Sequence, residues 1–495
     1  MQELYTPDQV ARLDQAAIRA GIPGEVLMGR AGRRLWREIH RRWPAARRLA
    51  VVCGGGNNGG DGYVVAHLAR QAGLEVELLH LVSPQRLGGA AAYHARRYLD
   101  HGGAARPFGP DALEGVDVIV DALLGTGLDR PVGGAFAEAV TAMNAAAAPV
   151  AAVDIPSGVH GRTGAEMGVA VRARLTVTFV AGKSGLFTGR GPACTGAVVL
   201  DDLATAALTA GAEVPYARRV TAEDVGAILP PRPRDAHKGQ HGHVLVVGGG
   251  RGMAGAVRLA AEAAGRSGAG LVSVATRPEH VPAVVGPCPA VMAHGIEHPE
   301  ELAPLLSRAS VVAVGPGLGQ GDWGRAMWAA CREAGQALVI DADGLNLLAA
   351  GQRPVPGAVL TPHPGEAARL LGAGWDTAGI AADRFAAART LAAQWQTVTL
   401  LKGAGTLVDD GAARYLADAG TPGMASGGVG DVLTGVVAGL WAQCPDADPA
   451  WLAAVAAYAH GRAGERAAAA LGGERGLLAS DLPGQLPAAL AEGAL

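Results

Sequence analysis

Apolar runs of strand length alternate with alanine-rich stretches of helical length through both halves of this chain, and the runs end on glycines or on a lone polar residue. This pattern specifies an α/β fold: mostly parallel strands joined by crossover helices that cover the sheet. In the first half the expected strands are Leu49 to Cys53, Val76 to Val82, Val116 to Asp121, Val150 to Asp154 and Leu175 to Val180. Between Asp201 and Arg234 the character changes, ending in PPRPR, which can continue neither a helix nor a central strand. That places a domain boundary near residue 215, giving domains 1–215 and 216–495 with the prolines at the entry to the second. The alternation restarts at His243. It is broken only by Lys402 to Ala417, which reads as a hairpin around Asp410-Gly411 on the edge of the sheet.

Length and composition bound the function. The chain has 495 residues, too many for one ordinary core. No apolar run approaches the roughly 20 residues a membrane span needs, and the polar start MQELYTPDQ is unlike a secretory signal, so a soluble cytoplasmic protein is expected. A net charge of −3 gives no electrostatic footprint for nucleic acid or acidic lipid. Five scattered cysteines without CxxC spacing suggest buried reduced thiols, not a disulfide framework or a zinc site.

In the first half GGGNNGGDG follows a strand. Gly54, Gly56 and Gly59 satisfy the spacing of a dinucleotide fingerprint, but the acidic residue expected about 20 positions on is absent, since the next strand ends Leu81-Val82-Ser83. More informative is the packing of Asn57, Asn58 and Asp61 among Gly59 and Gly60 on a loop at a strand's carboxyl end, where open α/β sheets bind ligands. Asp121 and Asp154 each close another strand. Parallel neighbours would bring these ends together, with Asn58, Asp121 and Ser157 offering hard oxygen ligands for a hard cation. The stretch Gly125, Thr126, Gly127, Leu128, Asp129, Arg130 and Pro131 would wrap a phosphate, and Asp154 is the candidate acid or base. Gly182-Lys183-Ser184 mimics the end of a P-loop but lacks its upstream glycine, and that reading is rejected.

In the second half the strongest feature is TPGMASGGVGDVL, Thr421 to Leu433. Its glycines Gly427, Gly428 and Gly430 can aim backbone amides at one point, and the following helix adds free N–H groups and a positive dipole end, which suits a phosphate. Asp431 beside that anion is electrostatically awkward unless it accepts a proton from an attacking hydroxyl or helps hold a metal, so the placement points to phosphoryl transfer. GGGRGMAGA, GPGLG, DADGLNLL, TPHPGE and LLKGAGT are further small or polar clusters at strand ends. Lysines occur only at 183, 238 and 402 in an arginine-biased chain, which suggests a need for a compact charge at those positions. His237, His241 and His243 fit no zinc pattern and read as a solvated entry loop leading into a strand.

NNGGDG, DALLGTGLDRPVGG, VDIPSGV and TVTFVAGKSGLFTGRG resemble NAD(P)H-hydrate epimerase domains. HKGQHGHVLVVGG, GAGLV, GPGLG, DADGLNLL, LTPHPGE, LKGAGTLV and MASGGVGDVLTG resemble NAD(P)H-hydrate dehydratase domains, relatives of ribokinase-like kinases. Together, in this order and over nearly the whole chain, they resemble the bifunctional NAD(P)H-hydrate repair enzymes. The resemblance implies an N-terminal Rossmann-like three-layer sandwich and a C-terminal ribokinase-like α/β domain. It also implies a function: the first domain would interconvert the R and S epimers of hydrated NADH or NADPH, and the second would dehydrate the S form using ADP, releasing AMP and phosphate. By the same likeness Asn58, Asp121 and Ser157 bind potassium, and Asn57 to Asp61 with Gly125 to Pro131 hold the hydrate with Asp154 at its reacting ring. Lys402, Gly403, Ala404, Gly405, Thr406 and Gly430 bind the nucleotide; Ala256, Gly317 and His363 contact the hydrate; Asp431 is the general base. Magnesium on the phosphates is expected, although no acidic cage is visible, and a homo-oligomer is the expected assembly. Val429 stands where a serine or similar residue is expected, which leaves the backbone donors untouched. The rival reading is a ribokinase-like kinase of hydroxymethylpyrimidine or thiazole type fused to a regulatory nucleotide-binding domain. A nucleotide-sensing binder without turnover is a second rival, and a carboxylate beside phosphate argues against it.

Overall fold

The structure is a computed structural model that describes residues 1–229, 231–351 and 353–493. Pro230 of the proline join, Gln352, and Ala494 and Leu495 at the end of the expected second domain lie outside the described residues. The chain forms two compact units, Glu3–Ala217 and Arg218–Leu495, the latter joined by Met1–Gln2.

The first unit is built on a seven-stranded, all-parallel sheet. Its strands run, edge to edge, Ala105–Pro107, Glu75–His80, Arg48–Cys53, Val118–Ala122, Val150–Val153, Leu175–Phe179 and Ala197–Asp201. Period-two alternation divides the strand Arg48–Cys53 between two cores. Leu49, Val51 and Cys53 pack with the helices Gly24–Arg42, Asn57–Gln71 and Gly89–Asp100, while Ala50 and Val52 pack with Gly134–Ala145 on the other face. Chain order reverses between Arg48–Cys53 and Val118–Ala122, which opens a crevice at their carboxyl ends. The strand expected to include Asp154 ends at Val153. Asp154 itself has left-handed backbone, φ 64, a conformation that costs a non-glycine residue about 1–2 kcal/mol.

The second unit repeats the plan. Its sheet runs Met292–Gly295, Leu271–Thr276, His243–Val247, Val311–Val314, Ala337–Ile340, Val359–Leu360 and Val398–Leu401 in parallel, then the hairpin Thr406–Asp409 and Arg414–Ala417, with Arg218–Arg219 pairing beyond it. The hairpin turns where Asp410-Gly411 predicts, with the Asp410 carboxylate accepting from the amides of Ala412 and Ala413. Here the reversal lies between His243–Val247 and Val311–Val314. Helix Val429–Gln443 crosses Ala254–Arg266 closely because Gly435 and Gly439 leave room: a Cβ at Gly435 would lie 2.1 Å from the Ala260 carbonyl oxygen.

Candidate active sites

At the first crevice two strand-end loops touch. The Gly54 amide donates to the Ala122 carbonyl, and a Cβ on Gly54 would lie 1.9 Å from the Leu123 oxygen. NNGGDG is not a loop: it forms the opening turns of the helix Asn57–Gln71, capped by Gly56 with no side chain over the end. The helix starts early because the glycines let it press against its neighbours. A Cβ on Gly59 would lie 2.2 Å from the Gly54 oxygen, and one on Gly60 2.5 Å from the Met28 sulfur. Gly59 and Gly60 therefore pack, while Asn57, Asn58 and Asp61 face a cavity of about 970 Å³. Gly125, Thr126, Gly127, Leu128, Asp129, Arg130 and Pro131 line the same cavity.

Asn58 ties the crevice together, its amide donating to the carbonyls of Leu124 (3.0 Å) and Val153 (3.1 Å). Its Oδ1 faces Gly125, where a Cβ would lie 3.0 Å away. Asp121 is fully buried and receives the Ser157 amide at 2.7 Å and the Ser157 hydroxyl at 2.6 Å. Burial pushes its carboxyl up to about 6 although the Ser157 donors pull the other way, and no cationic side chain pairs with it among the described residues. Asn58, Asp121 and Ser157 are thus brought together through Leu124, whose amide donates to Ser157 Oγ at 2.8 Å.

Asp154 sits on the cavity wall and is clamped. The buried Lys183 ammonium lies 2.5 Å from its Oδ1 and also donates to Thr178 Oγ1 and the Phe179 carbonyl, while the Phe179 amide donates to the same carboxylate oxygen. Lys183, set aside in the sequence with the false P-loop, is thus part of the cavity wall. The signal was its rarity: it is one of three lysines in the chain. Asp61, buried at the cavity wall, is driven well above the ordinary carboxylate range by desolvation and then by the Asp154 and Asp14 charges, against Lys183.

The second site centres on Lys402. Its ammonium donates to Asp341 Oδ1 at 2.8 Å and lies 3.8 Å from Glu366 Oε2; Thr434 donates to the other Asp341 oxygen at 2.7 Å. Burial pulls the Lys402 ammonium down, but Asp341 and Glu366 outweigh it and the net shift is upward. Gly428, in the left-handed region at φ 89, caps the helix Val429–Gln443, and a Cβ on Gly430 would lie 3.3 Å from Lys402 Nζ. The helix N-terminus thus opens over the Lys402–Asp341 pair. Asp431 occupies that first turn. Burial, then the Asp341 charge, raise its carboxyl to about 7 against the pull of Lys402. Behind it His460, buried and pushed down to about 4 by desolvation, is held at 3.0 Å from the Val429 carbonyl as a neutral ring.

The turn Gly403, Ala404, Gly405 and Thr406 wraps a buried guanidinium. Arg384 donates to the carbonyls of Leu401, Lys402 and Gly405, and a Cβ on Gly403 would lie 2.8 Å from its Nη1. Gly317 at φ 55 packs against Ala256, whose Cβ is 3.2 Å from the position a Gly317 Cβ would take. His363 is the N-cap of the helix Pro364–Leu371: its Nδ1 accepts from the Gly365 amide at 3.0 Å, and its ring stays half-exposed. Asp341, Glu366, Thr434 and Arg384 escaped residue-level reading. Asp341 and Glu366 stood inside recognised motifs, but nothing in sequence spacing pairs them with a lysine 61 and 36 positions further on. Among the described residues no group of three or more His, Cys, Asp or Glu side chains is placed to hold a metal, the histidines 237, 241 and 243 included.

Comparison with known proteins gives the family. Residues 244–487 match the family described as NAD(P)H-hydrate dehydratase, and residues 24–185 that described as YjeF-related protein N-terminus. A bifunctional NAD(P)H-hydrate repair enzyme of Coxiella burnetii is 46% identical over 483 residues, covering 97% of this chain and 98% of that protein. The enzyme of that name from Escherichia coli is 42% identical over 469 residues, covering 94% and 90%. Among solved structures, a ribokinase-like superfamily protein from Enterococcus faecalis is 27% identical with a TM-score of 0.51, covering 57% of this chain and 99% of that one. The chain belongs to the bifunctional NAD(P)H-hydrate repair enzymes, an epimerase unit followed by a ribokinase-like, nucleotide-dependent dehydratase unit.

Proposed function

We propose that the second unit dehydrates the S hydrate by phosphorylating it, with Asp431 as the general base and ADP as the donor. The observation that carries this reading is a carboxyl poised near neutrality on a helix N-terminus, beside the Lys402–Asp341 pair. Asp431 takes the proton of the hydrate hydroxyl, and the oxygen attacks the β-phosphorus. The bond to AMP breaks. The amides of Gly427, Gly428 and Gly430 hold the transferring group, and Lys402 with the Gly403, Ala404, Gly405 and Thr406 turn holds the nucleotide. The ring nitrogen then expels phosphate, and the neighbouring carbon loses a proton to restore the ring double bond. Ala256, Gly317 and His363 contact the hydrate. The chain offers no cage for magnesium among the described residues, so that ion would be carried by the phosphates, whose charge it would screen.

In the first unit Asp154, ion-paired to Lys183, is the acid–base residue at the hydrate ring, with Asn57, Asn58, Asp61 and Gly125 to Pro131 around the substrate, while Gly59 and Gly60 pack behind them and let the helix start there. Asn58, Asp121 and Ser157 suit potassium. Their oxygens are hard donors, and among the described residues no cationic side chain stands beside the buried Asp121 carboxylate, so a bound cation would supply the missing charge. Homo-oligomeric assembly and work in the cytoplasm complete the proposal; no described helix is long and apolar enough to cross a membrane. The test is to incubate pure S hydrate with the protein and ADP. One reduced coenzyme, one AMP and one phosphate should form per hydrate consumed. A stable phosphorylated product without reduced coenzyme would show a small-molecule kinase instead.

A further inference from the structure

The epimerase pocket holds a carboxylate that the motifs do not include. The first helix, Pro7–Arg19, buries Val10, Leu13 and Ala17, and Asp14 falls on the same stripe, four residues after Val10 and three before Ala17. An acidic residue on a core-facing stripe is costly unless it faces something polar. Asp14 faces the cavity: it lines the same 970 Å³ space as Asp61, Asp154 and Lys183, and its carboxylate makes no hydrogen bond or salt bridge to any described residue. The helix is fixed there from both ends of its approach. Strand Gln2–Tyr5 runs parallel to Gly182–Lys183 with Tyr5 opposite Lys183, and the Thr6–Gln9 capping box sets the first turn.

Epimer exchange moves a proton off oxygen and a proton onto nitrogen, and concerted transfer takes two groups. Water added across a ring double bond leaves one carbon bearing both a hydroxyl and the ring nitrogen. To invert it, the hydroxyl proton leaves, the carbon–nitrogen bond breaks with its electron pair going to nitrogen, and nitrogen takes up a proton. The carbon becomes an aldehyde. Rotation about the adjacent carbon–carbon bond presents its other face; nitrogen then attacks, gives its proton back, and the oxygen is reprotonated. No electrons are gained or lost overall. Asp154, ion-paired to Lys183, can take the hydroxyl proton, but the same group cannot at that moment protonate the nitrogen.

We infer that Asp14 is a catalytic residue of the epimerase pocket, the carboxylic acid that delivers the proton to the ring nitrogen and takes it back on closure. Its protonation suits that work: burial, with the Asp154 charge and against Lys183, raises its carboxyl to about 6. The other charged groups facing the cavity are Asp61 on the helix Asn57–Gln71, Asp129 and Arg130 on the loop, and Asp154 and Lys183. The inference rests on the reading of this pocket as the epimerase site with Asp154 at the ring.

The experiment uses the full-length chain and pure R hydrate without nucleotide, following appearance of the S epimer between pH 5 and 9. Asp14→Asn, isosteric but unable to cycle a proton, should lower kcat at least about 100-fold with KM within about threefold, as removal of a general acid does. Asp14→Glu should retain at least a tenth of the activity, and added formate should partly restore Asp14→Ala. A kcat for Asp14→Asn within threefold of wild type, a loss confined to KM, or no rescue by formate would overturn the assignment. Failure of the wild-type protein to interconvert the epimers would instead sink the reading of the pocket, so the two outcomes are separable.

Discussion

Replacing Asp431 with asparagine should make the second unit more stable and inactive at once. The carboxyl titrates near 7 in the folded protein against 3.8 as an unperturbed side chain. The sign follows from proton counting. Between about pH 4 and 7 the folded state holds a proton that the unfolded chain has released, so stability falls as pH rises, and the full penalty is present above about 7. A shift of about three units corresponds to on the order of 4 kcal/mol as a ceiling. Water reaching the mouth of the site should reduce it to about 1–3 kcal/mol. Asparagine removes the charge and with it the penalty. In thermal melts at pH 8 the transition of the second unit should therefore rise by roughly 3–8 °C, with little change at pH 4, where the folded carboxyl is protonated and the unfolded one, at its ordinary value of 3.8, is only about half ionised. The same variant should lose about 100- to 10,000-fold in S-hydrate dehydration, about 3–5 kcal/mol of barrier. A variant no more stable than wild type at pH 8, or equally shifted at pH 4, would refute the electrostatic account of this site.

Other consequences follow from the same geometry. Lys402→Met leaves the buried Asp341 without its ammonium partner and should cost about 3–5 kcal/mol of stability, read by denaturant unfolding, while abolishing dehydration and sparing epimer exchange. Gly435→Ala should cost about 1–3 kcal/mol in the same measurement, because the new methyl would meet the Ala260 carbonyl across the helix crossing. Exchanging potassium for tetramethylammonium in the buffer should slow epimer exchange severalfold and leave the magnesium–ADP reaction of the second unit unchanged, as measured by parallel assays on R and S hydrate. Wild-type dehydration should fall as pH drops below about 7, following ionisation of Asp431, and a rate flat from pH 5.5 to 8 would contradict that assignment.

Much of the fold was legible because strand periodicity and strand-end glycines are local signals. The strands expected at Leu49 to Cys53 and Leu175 to Val180 lie within one residue of Arg48–Cys53 and Leu175–Phe179, and the turn at Asp410-Gly411 was placed by its chemistry. NNGGDG was misread as a loop because asparagine and glycine favour turns locally, whereas here Gly59 and Gly60 are packing glycines that let a helix start against Gly54 and Met28. Asp154 ended its strand one residue early since its side chain had to turn back toward Lys183. That pairing, like Lys402 with Asp341 and Glu366, joins residues on different strand ends, and such pairings are fixed by sheet order and not by spacing. Asp14 was silent for a related reason: an aspartate in an amphipathic helix looks like solvent-facing surface until the helix is docked beside a cavity.

Two sites with separate duties can be read in one trace. An equal mixture of R and S hydrate, given ADP and magnesium, should return all of its reduced-nicotinamide absorbance with wild-type protein, half with Asp154→Asn, and none with Asp431→Asn. Complete recovery with Asp154→Asn, or any rapid recovery with Asp431→Asn, would contradict the division of labour between the Lys183-clamped aspartate and the one at the helix N-terminus.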